Sequence, residues 1–143
     1  MRLNREMTGP KPKAETSVPS PTMPPKRKQI RKPDVSALLE RLQTMRERTD
    51  SVSAEEYEKL NQDIHMTLWN VSGNKRIKTL LMDLWNGPST GETAEEKRHH
   101  YAESTAEHIE ILEAVQRGDK TTAQEVMKKH ILRSMENILK YYQ

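Results

Sequence analysis

Histidine is the residue type in this 143-residue chain with the clearest potential for chemistry, and the chain has five of them. The chain has no cysteine, which excludes disulfide bonds, thiolate metal ligands and cysteine nucleophiles. Apolar residues lie at helical spacing from each of three histidines, His65, His108 and His130. We therefore predict that all three point into a helical interior from three different helices. His99 and His100 stand in a run of charged residues, and we predict that both are solvated.

A shared metal site is one explanation for three inward-facing histidines. Buried imidazoles without partners are costly, and one divalent cation bound by all three removes that cost. Asn61 precedes His65 by one helical turn, so its side-chain oxygen and the imidazole face the same way. Three neutral imidazoles and one amide oxygen suit zinc, nickel, manganese or iron, with room for water or an external carboxylate. Three separately satisfied core histidines remain the alternative interpretation.

Signals for helix ends divide the region from residue 34 onward into five helices. The apolar residues repeat with a helical period throughout, and no segment alternates as a strand does. The third of these helices has the most regular apolar stripe, formed by Ile77, Leu80, Leu81, Leu84 and Trp85. We therefore predict an all-α, antiparallel bundle of about five helices with short loops. The predicted helix caps and stops are Asp34 or Ser36, Ser53, Gly73, Asn74, Asn86-Gly87-Pro88, Thr93 and Gly118-Asp119, and the last helix ends near Tyr142.

Residues 1–33 differ in composition from the rest of the chain. They hold seven of the eight prolines and nine Lys or Arg against two acids, a net charge of 9 − 2 = +7. Residues 34–143 have 15 Lys or Arg against 19 Asp or Glu, a net charge of 15 − 19 = −4. We therefore predict a disordered basic leader at 1–33 and a folded domain at 34–143. The cluster Lys26-Arg27-Lys28 is open to interpretation as a solvated tail, a nuclear-import signal or a phosphate-binding tail.

The chain contains no apolar run of the roughly 20 residues that cross a bilayer. The N-terminus has charge but no apolar segment of the kind found in secretory signals. These features predict a cytoplasmic protein that has no contact with a membrane.

Three short motifs follow one another along the predicted helices. They are Asn61-Gln62-Asp63-Ile64-His65 with Ser72-Gly73-Asn74, then Glu107 to Val115 with Gly118-Asp119, and finally Ala123, Met127, His130 and Ile131. In this order and spacing they resemble the C-terminal ligand-sensing domain of FadR-type GntR regulators, the FCD domain. The resemblance extends from Ala37 to Tyr142, about three-quarters of the chain.

The resemblance implies the sensing part of a bacterial transcription regulator and not an enzyme. In that family a winged helix-turn-helix domain binds operator DNA, and the helical FCD domain dimerises and binds a small organic acid. Many members hold a divalent metal at positions that correspond here to Asn61, His65, His108 and His130. The effector's carboxylate completes the metal's coordination, and the resulting shift of the bundle repositions the DNA-binding domains. Candidate effector contacts are Arg98, Tyr101 and Ser104, although a solvated helix face explains these three equally well.

The chain also departs from the family pattern. No segment matches the winged-helix domain, so operator DNA is expected to be contacted only through a domain not present here. No segment matches the first long helix of the family's bundle, so we expect an open apolar groove that favours a homodimer, a partner helix or partial unfolding. A truncated gene product is a further interpretation. Asn61 in place of Asp leaves the metal without a protein anion, which predicts a lower affinity.

Two other functions compete with that of a sensor. A histidine metal site with an open position can activate water, as in a metal-dependent hydrolase. That chemistry needs a general base, but Asp63 is predicted on the opposite face of its helix, and Glu107 lies about 100° around the helix from His108. The basic leader is also consistent with a nucleic-acid-binding adaptor, whose binding would be sensitive to salt.

Overall fold

A computed structural model describes residues 33–85 and 93–140 of the chain. Within those ranges it contains five α-helices, one short 3-10 helix and no strand, which confirms the all-α prediction. The helices are α1 (Ser36–Glu47), α2 (Ala54–Val71), α3 (Lys75–Leu84), α4 (Ala94–Arg117) and α5 (Lys120–Leu139), and the 3-10 helix is Thr49–Ser51. The predicted basic leader up to residue 32, the predicted stop and loop at 86–92 and the predicted helix end near Tyr142 lie outside the described residues.

Local side-chain caps begin four of the five helices. Ser53 and Thr93 each accept a hydrogen bond from the backbone N–H three residues later, where a glutamate returns the bond, so both predicted capping boxes are confirmed. The predicted caps Asn74 and Asp119 also accept first-turn N–H groups. Gly118 has a φ of 75°, the left-handed conformation that ends α4 and lets α5 turn back.

The first helix begins differently from its prediction. Its N-cap is Val35, which has no side chain able to accept a hydrogen bond, and Ser36 is already helical. The carboxylate of Asp34 accepts from the N–H of Ser36 at 3.0 Å. Val35 is fully buried in the core, so packing places the apolar residue at the cap position and the polar residue one position earlier.

The hydrophobic core lies between α1, α2 and α4. Helix α4 packs along α1 and forms a hairpin with α5, while α2 packs on α1, and α3 packs chiefly on α2. Each of α1, α2 and α4 supplies its apolar stripe to this core at the predicted period. The buried core residues are Val35, Leu39, Leu42, Met45, Tyr57, Leu60, Ile64, Ile109 and Leu112.

The apolar stripe of α3 is largely exposed in this structure. Ile77 is 47%, Leu80 62% and Leu84 77% exposed, although their spacing is that of a core-facing helix. Periodicity identifies an apolar face, but it does not show that another element covers it. Helix α5 also exposes Ile131, Leu132, Met135 and Leu139. The predicted homodimer or partner helix stays a prediction, and none of the described helices is long and apolar enough to cross a membrane.

Candidate metal centre

Three buried histidines from three helices meet inside the bundle. His65 of α2, His108 of α4 and His130 of α5 are 6%, 1% and 6% exposed, which confirms their predicted inward direction. One ring nitrogen from each lies within 4.8 Å of the other two. The Nε2 atoms of His65 and His108 are 3.2 Å apart. Two nitrogens bound to one ion at about 2.1 Å are separated by about 3.0 to 3.4 Å in octahedral or tetrahedral geometry, so this distance is compatible with a shared cation as well as with a hydrogen bond between the two rings.

Asn61 supplies a second observation that points to a cation. Its side-chain Oδ1 is the one buried side-chain nitrogen or oxygen atom, among residues 33–85 and 93–140, with no hydrogen-bond partner. Asn61 precedes His65 by one turn of α2, so both side chains extend from the same face of that helix. A buried acceptor without a donor is unfavourable, and coordination to a metal ion satisfies it. The donor set therefore fits a divalent metal.

Burial keeps the three imidazoles neutral near pH 7. It lowers the pKa of His65 to about 4, with a further contribution from repulsion by His130 when that ring is protonated. Burial also lowers the pKa of His108 well below its usual value. The pKa of His130 is lowered by burial as well, although its hydrogen bond to Glu107 partly opposes that effect. Neutral imidazole is the form that binds metal ions, so no proton has to be removed first at neutral pH.

A buried ion pair that the sequence did not reveal stands behind His130. Glu107 is 7% exposed, and its Oε2 lies 2.7 Å from Nδ1 of His130. Arg133 donates to both carboxylate oxygens of Glu107, at 2.9 and 2.7 Å. Burial opposes ionisation of Glu107, but the bonds from Arg133 and His130 outweigh it and hold the pKa of this carboxyl below its usual value. Glu107 lies about 100° around α4 from His108, as predicted, and this rotation directs its side chain toward His130 and Arg133 of α5.

The prediction that His100 is solvated is wrong, whereas the prediction for His99 is confirmed. The His99 side chain is 74% exposed, but His100 is only 6% exposed. Nδ1 of His100 accepts from Arg133 at 3.2 Å, and its Nε2 lies 3.3 Å from the hydroxyl of Ser104. Burial, and secondarily the charge of Arg133, lowers the pKa of His100 to about 4. The charged residues next to His100 in the sequence suggested an exposed position, but its hydrogen-bond partner Arg133 lies 33 residues away on α5.

Two tryptophans border the histidine cluster on the side of α2 and α3. The ring of His65 lies 4.7 Å from that of Trp85 and 5.9 Å from that of Trp69, between centroids. The two indoles contact each other edge to face at 5.4 Å. Trp85 is the C-cap of α3, so the exposed helix is tied to a candidate ligand by an aromatic contact.

The three predicted effector contacts occupy different surroundings along α4. Arg98 is exposed and lies ten residues, about 15 Å of helix, before His108. Tyr101 stacks on Tyr57 with ring centroids 3.9 Å apart, beside the core. Ser104 is buried and accepts from Arg133 at 2.8 Å. Only Ser104 belongs to the polar network behind the histidines, and the effector contacts of all three stay predictions.

Comparison with known proteins gives one match. The family model described as the FCD domain matches residues 28–133, which is more than half of the chain. No curated protein and no solved structure matches the sequence. The motifs around Asn61, His108 and His130 all fall within the matched segment, so the resemblance inferred from them is confirmed. The chain belongs to the FCD domain family, the C-terminal effector-binding domain of FadR-type GntR regulators.

Proposed function

We propose that this chain is a metal-dependent sensor domain that binds a divalent ion through Asn61, His65, His108 and His130 and a small organic acid at that ion. The observation that carries the proposal is the cluster of three buried imidazoles, together with an amide oxygen that has no hydrogen-bond partner one helical turn before His65. When bound, the ion supplies a Lewis-acid centre whose remaining positions accept a carboxylate. Family membership supports a regulatory role for that binding.

An open apolar groove of about 530 Å³ on the surface of α2, α4 and α5 is a candidate space for an effector. Its lining includes Leu68, Ile111 and Met127, each of which is three residues, or one helical turn, from one of the three histidines. This volume is within the range of about 300 to 1,000 Å³ that is usual for small-molecule sites. We propose that the acid's carboxylate faces the histidine cluster and that its remaining atoms contact this groove.

The geometry gives less support to a metal-dependent hydrolase. Glu107 already accepts hydrogen bonds on both oxygens from Arg133. Asp63 forms an ion pair with Arg41 at 2.8 Å on the surface. The two carboxylates nearest to the proposed ligands in the sequence are thus both engaged by arginines and are poorly placed to act as a general base for a water molecule. The nucleic-acid-binding adaptor depends on the basic leader, whose residues before Pro33 lie outside the described ranges.

Thermal unfolding with and without metal tests the metal-binding part of the proposal. Metal at 100 times its dissociation constant stabilises the native state by about 2.7 kcal/mol, which corresponds to at least about 10 °C in a domain of this size. We expect zinc, nickel or manganese to raise the Tm of the chelator-treated protein by this order. His108→Ala should abolish the rise, whereas the matched control His99→Ala, an exposed histidine on the same helix, should retain it. An equal rise in His108→Ala and the parent would refute the site.

A second set of melts tests the effector. Dicarboxylates, tricarboxylates and sugar acids are added singly to metal-loaded and to chelator-treated protein. We expect at least one acid to raise the Tm of the loaded protein and to leave the chelator-treated protein unchanged, because its carboxylate needs the ion. Stabilisation that is equal in both preparations would show that the acid binds elsewhere.

A further inference from the structure

We infer that Glu107 and Arg133 form a positioning pair that fixes His130 as a metal ligand. In this inference Glu107 holds the Nδ1–H group of His130, which leaves Nε2 free to coordinate, and Arg133 holds Glu107 in place. The inference rests on the proposed metal site and extends it to two residues outside the ligand set.

The hydrogen bond between His130 and Glu107 determines which ring nitrogen carries the proton. Nδ1 of His130 and Oε2 of Glu107 are 2.7 Å apart, and both side chains are 8% exposed. An ionised carboxylate only accepts hydrogen bonds, so Nδ1 must be the donor. The neutral imidazole then has its lone pair on Nε2. A carboxylate behind a histidine orients the ring and increases its basicity as a ligand.

Arg133 is committed to this arrangement by all five of its N–H donors. Its Nε and one Nη2 donor bind the two oxygens of Glu107. The other Nη2 donor binds Ser104, and the two Nη1 donors bind His100 and Glu103. The guanidinium is therefore unable to bind an effector carboxylate without breaking a bond that it already makes. Its position, 16% exposed and bidentate to Glu107, is that of a residue which holds another residue in place.

The pair orients His130 without adding net charge to the site. Arg133 carries the charge opposite to that of Glu107 and binds both of its oxygens. The lower metal affinity expected from Asn61 in place of Asp therefore remains.

Glu107→Gln tests the inference because it removes the charge and keeps the shape. A glutamine that turns its NH₂ toward His130 donates to Nδ1, which moves the ring proton to Nε2 and blocks coordination. Loss of such a carboxylate partner costs about 10- to 100-fold in metal affinity. We expect this loss in zinc titrations against a chelator of known affinity. The matched control is Glu110→Gln, an exposed glutamate three residues further along α4, which should bind zinc like the parent.

A second control and a second measurement separate positioning from general stability. Ser104→Ala removes one bond to Arg133 but leaves both bonds to Glu107, so it can lower the Tm of the chelator-treated protein without weakening zinc binding. Long-range ¹H–¹⁵N NMR spectra of the chelator-treated parent report the tautomer directly. We expect His130 to carry its proton on Nδ1 in the parent and to lose this preference in Glu107→Gln.

The outcomes distinguish this inference from the proposed function. Zinc affinity in Glu107→Gln equal to that of the parent overturns the inference and leaves the metal site intact. A parent that binds no zinc overturns both the metal site and the role assigned to Glu107. If Glu107→Gln does not fold, the parent's spectrum decides: a proton on Nε2 of His130 overturns the inference, and a proton on Nδ1 supports it.

Discussion

Replacing Asn61 with leucine is expected to stabilise the metal-free domain while it weakens metal binding. The Oδ1 atom of Asn61 is buried and has no hydrogen-bond partner. Such a group costs about 1–3 kcal/mol of stability, and an apolar side chain of similar shape removes that cost. A change of 1 kcal/mol shifts the Tm of a domain of 60–100 residues by about 4–8 °C. We therefore expect Asn61→Leu to melt at least about 4 °C above the parent in the presence of a chelator.

The metal-dependent part of the Tm should change in the opposite direction. Leucine offers no ligand atom, so the variant loses one of four proposed protein ligands. Each tenfold loss of affinity removes about 1.4 kcal/mol of the stabilisation that a fixed, saturating metal concentration gives. We expect at least this reduction. The pair of opposite changes is the signature of a group that serves binding at the expense of stability.

Melts of both proteins in chelator and in graded zinc measure the two effects together. The matched control is Gln62→Leu, which places the same side chain on the next, exposed residue of α2. Two results would refute the reasoning. A chelator-treated Asn61→Leu less stable than the parent would show that Oδ1 is satisfied in solution. A zinc-dependent rise equal to that of the parent would show that Asn61 is not a ligand.

The remaining predictions concern acid stability and fluorescence. Burial lowers the pKa of His65 to about 4 from the ordinary 6.5, so the unfolded chain binds a proton at this residue before the folded domain does as the pH falls. His65 therefore contributes its full stabilisation to the chelator-treated domain above pH 6.5. This contribution declines by about 3 kcal/mol between pH 6.5 and pH 4. Thermal melts from pH 7 to 5 should show a Tm that falls with pH in the parent and falls less steeply in His65→Phe. An identical dependence of Tm on pH in the two proteins would contradict the role of His65. Trp69 and Trp85 are the chain's two tryptophans and lie within 6 Å of the His65 ring, between centroids, so nickel, an open-shell ion, should quench their emission and zinc should not. Nickel that raises the Tm without quenching would place the ion elsewhere.

The parts of this fold that the sequence predicts are those decided by neighbours within one helical turn. A serine or threonine followed by a glutamate three residues later begins α2 and α4 because both partners of the capping box lie on the same short segment. The inward direction of His65 is similarly set by Leu60 and Ile64 on the same stripe. Such signals need no knowledge of how the helices are arranged.

The parts that the sequence does not predict depend on residues brought together from different helices. His100 is buried because Arg133, 33 residues later, reaches across from α5. Glu107 is recognisable as a buried carboxylate only when His130 and Arg133 face it. The exposed stripe of α3 shows the converse case, in which a regular apolar pattern meets no described helix that covers it. The period of apolar residues in the sequence does not show which helices pack against each other.

The polar interior of the domain consists of two halves that differ in how well their groups are satisfied. On the side of α5, Arg133 uses all five donors and Glu107 accepts on both oxygens, so His130 is held without any ion. On the side of α2, Asn61 has a buried acceptor without a donor. A cation therefore changes the energetics of α2 more than those of the α4–α5 hairpin. Because Trp85 packs on the ring of His65, that change extends to α3 and its exposed apolar face. Under the proposed function, occupancy of the metal centre is thus transmitted first through α2 and α3.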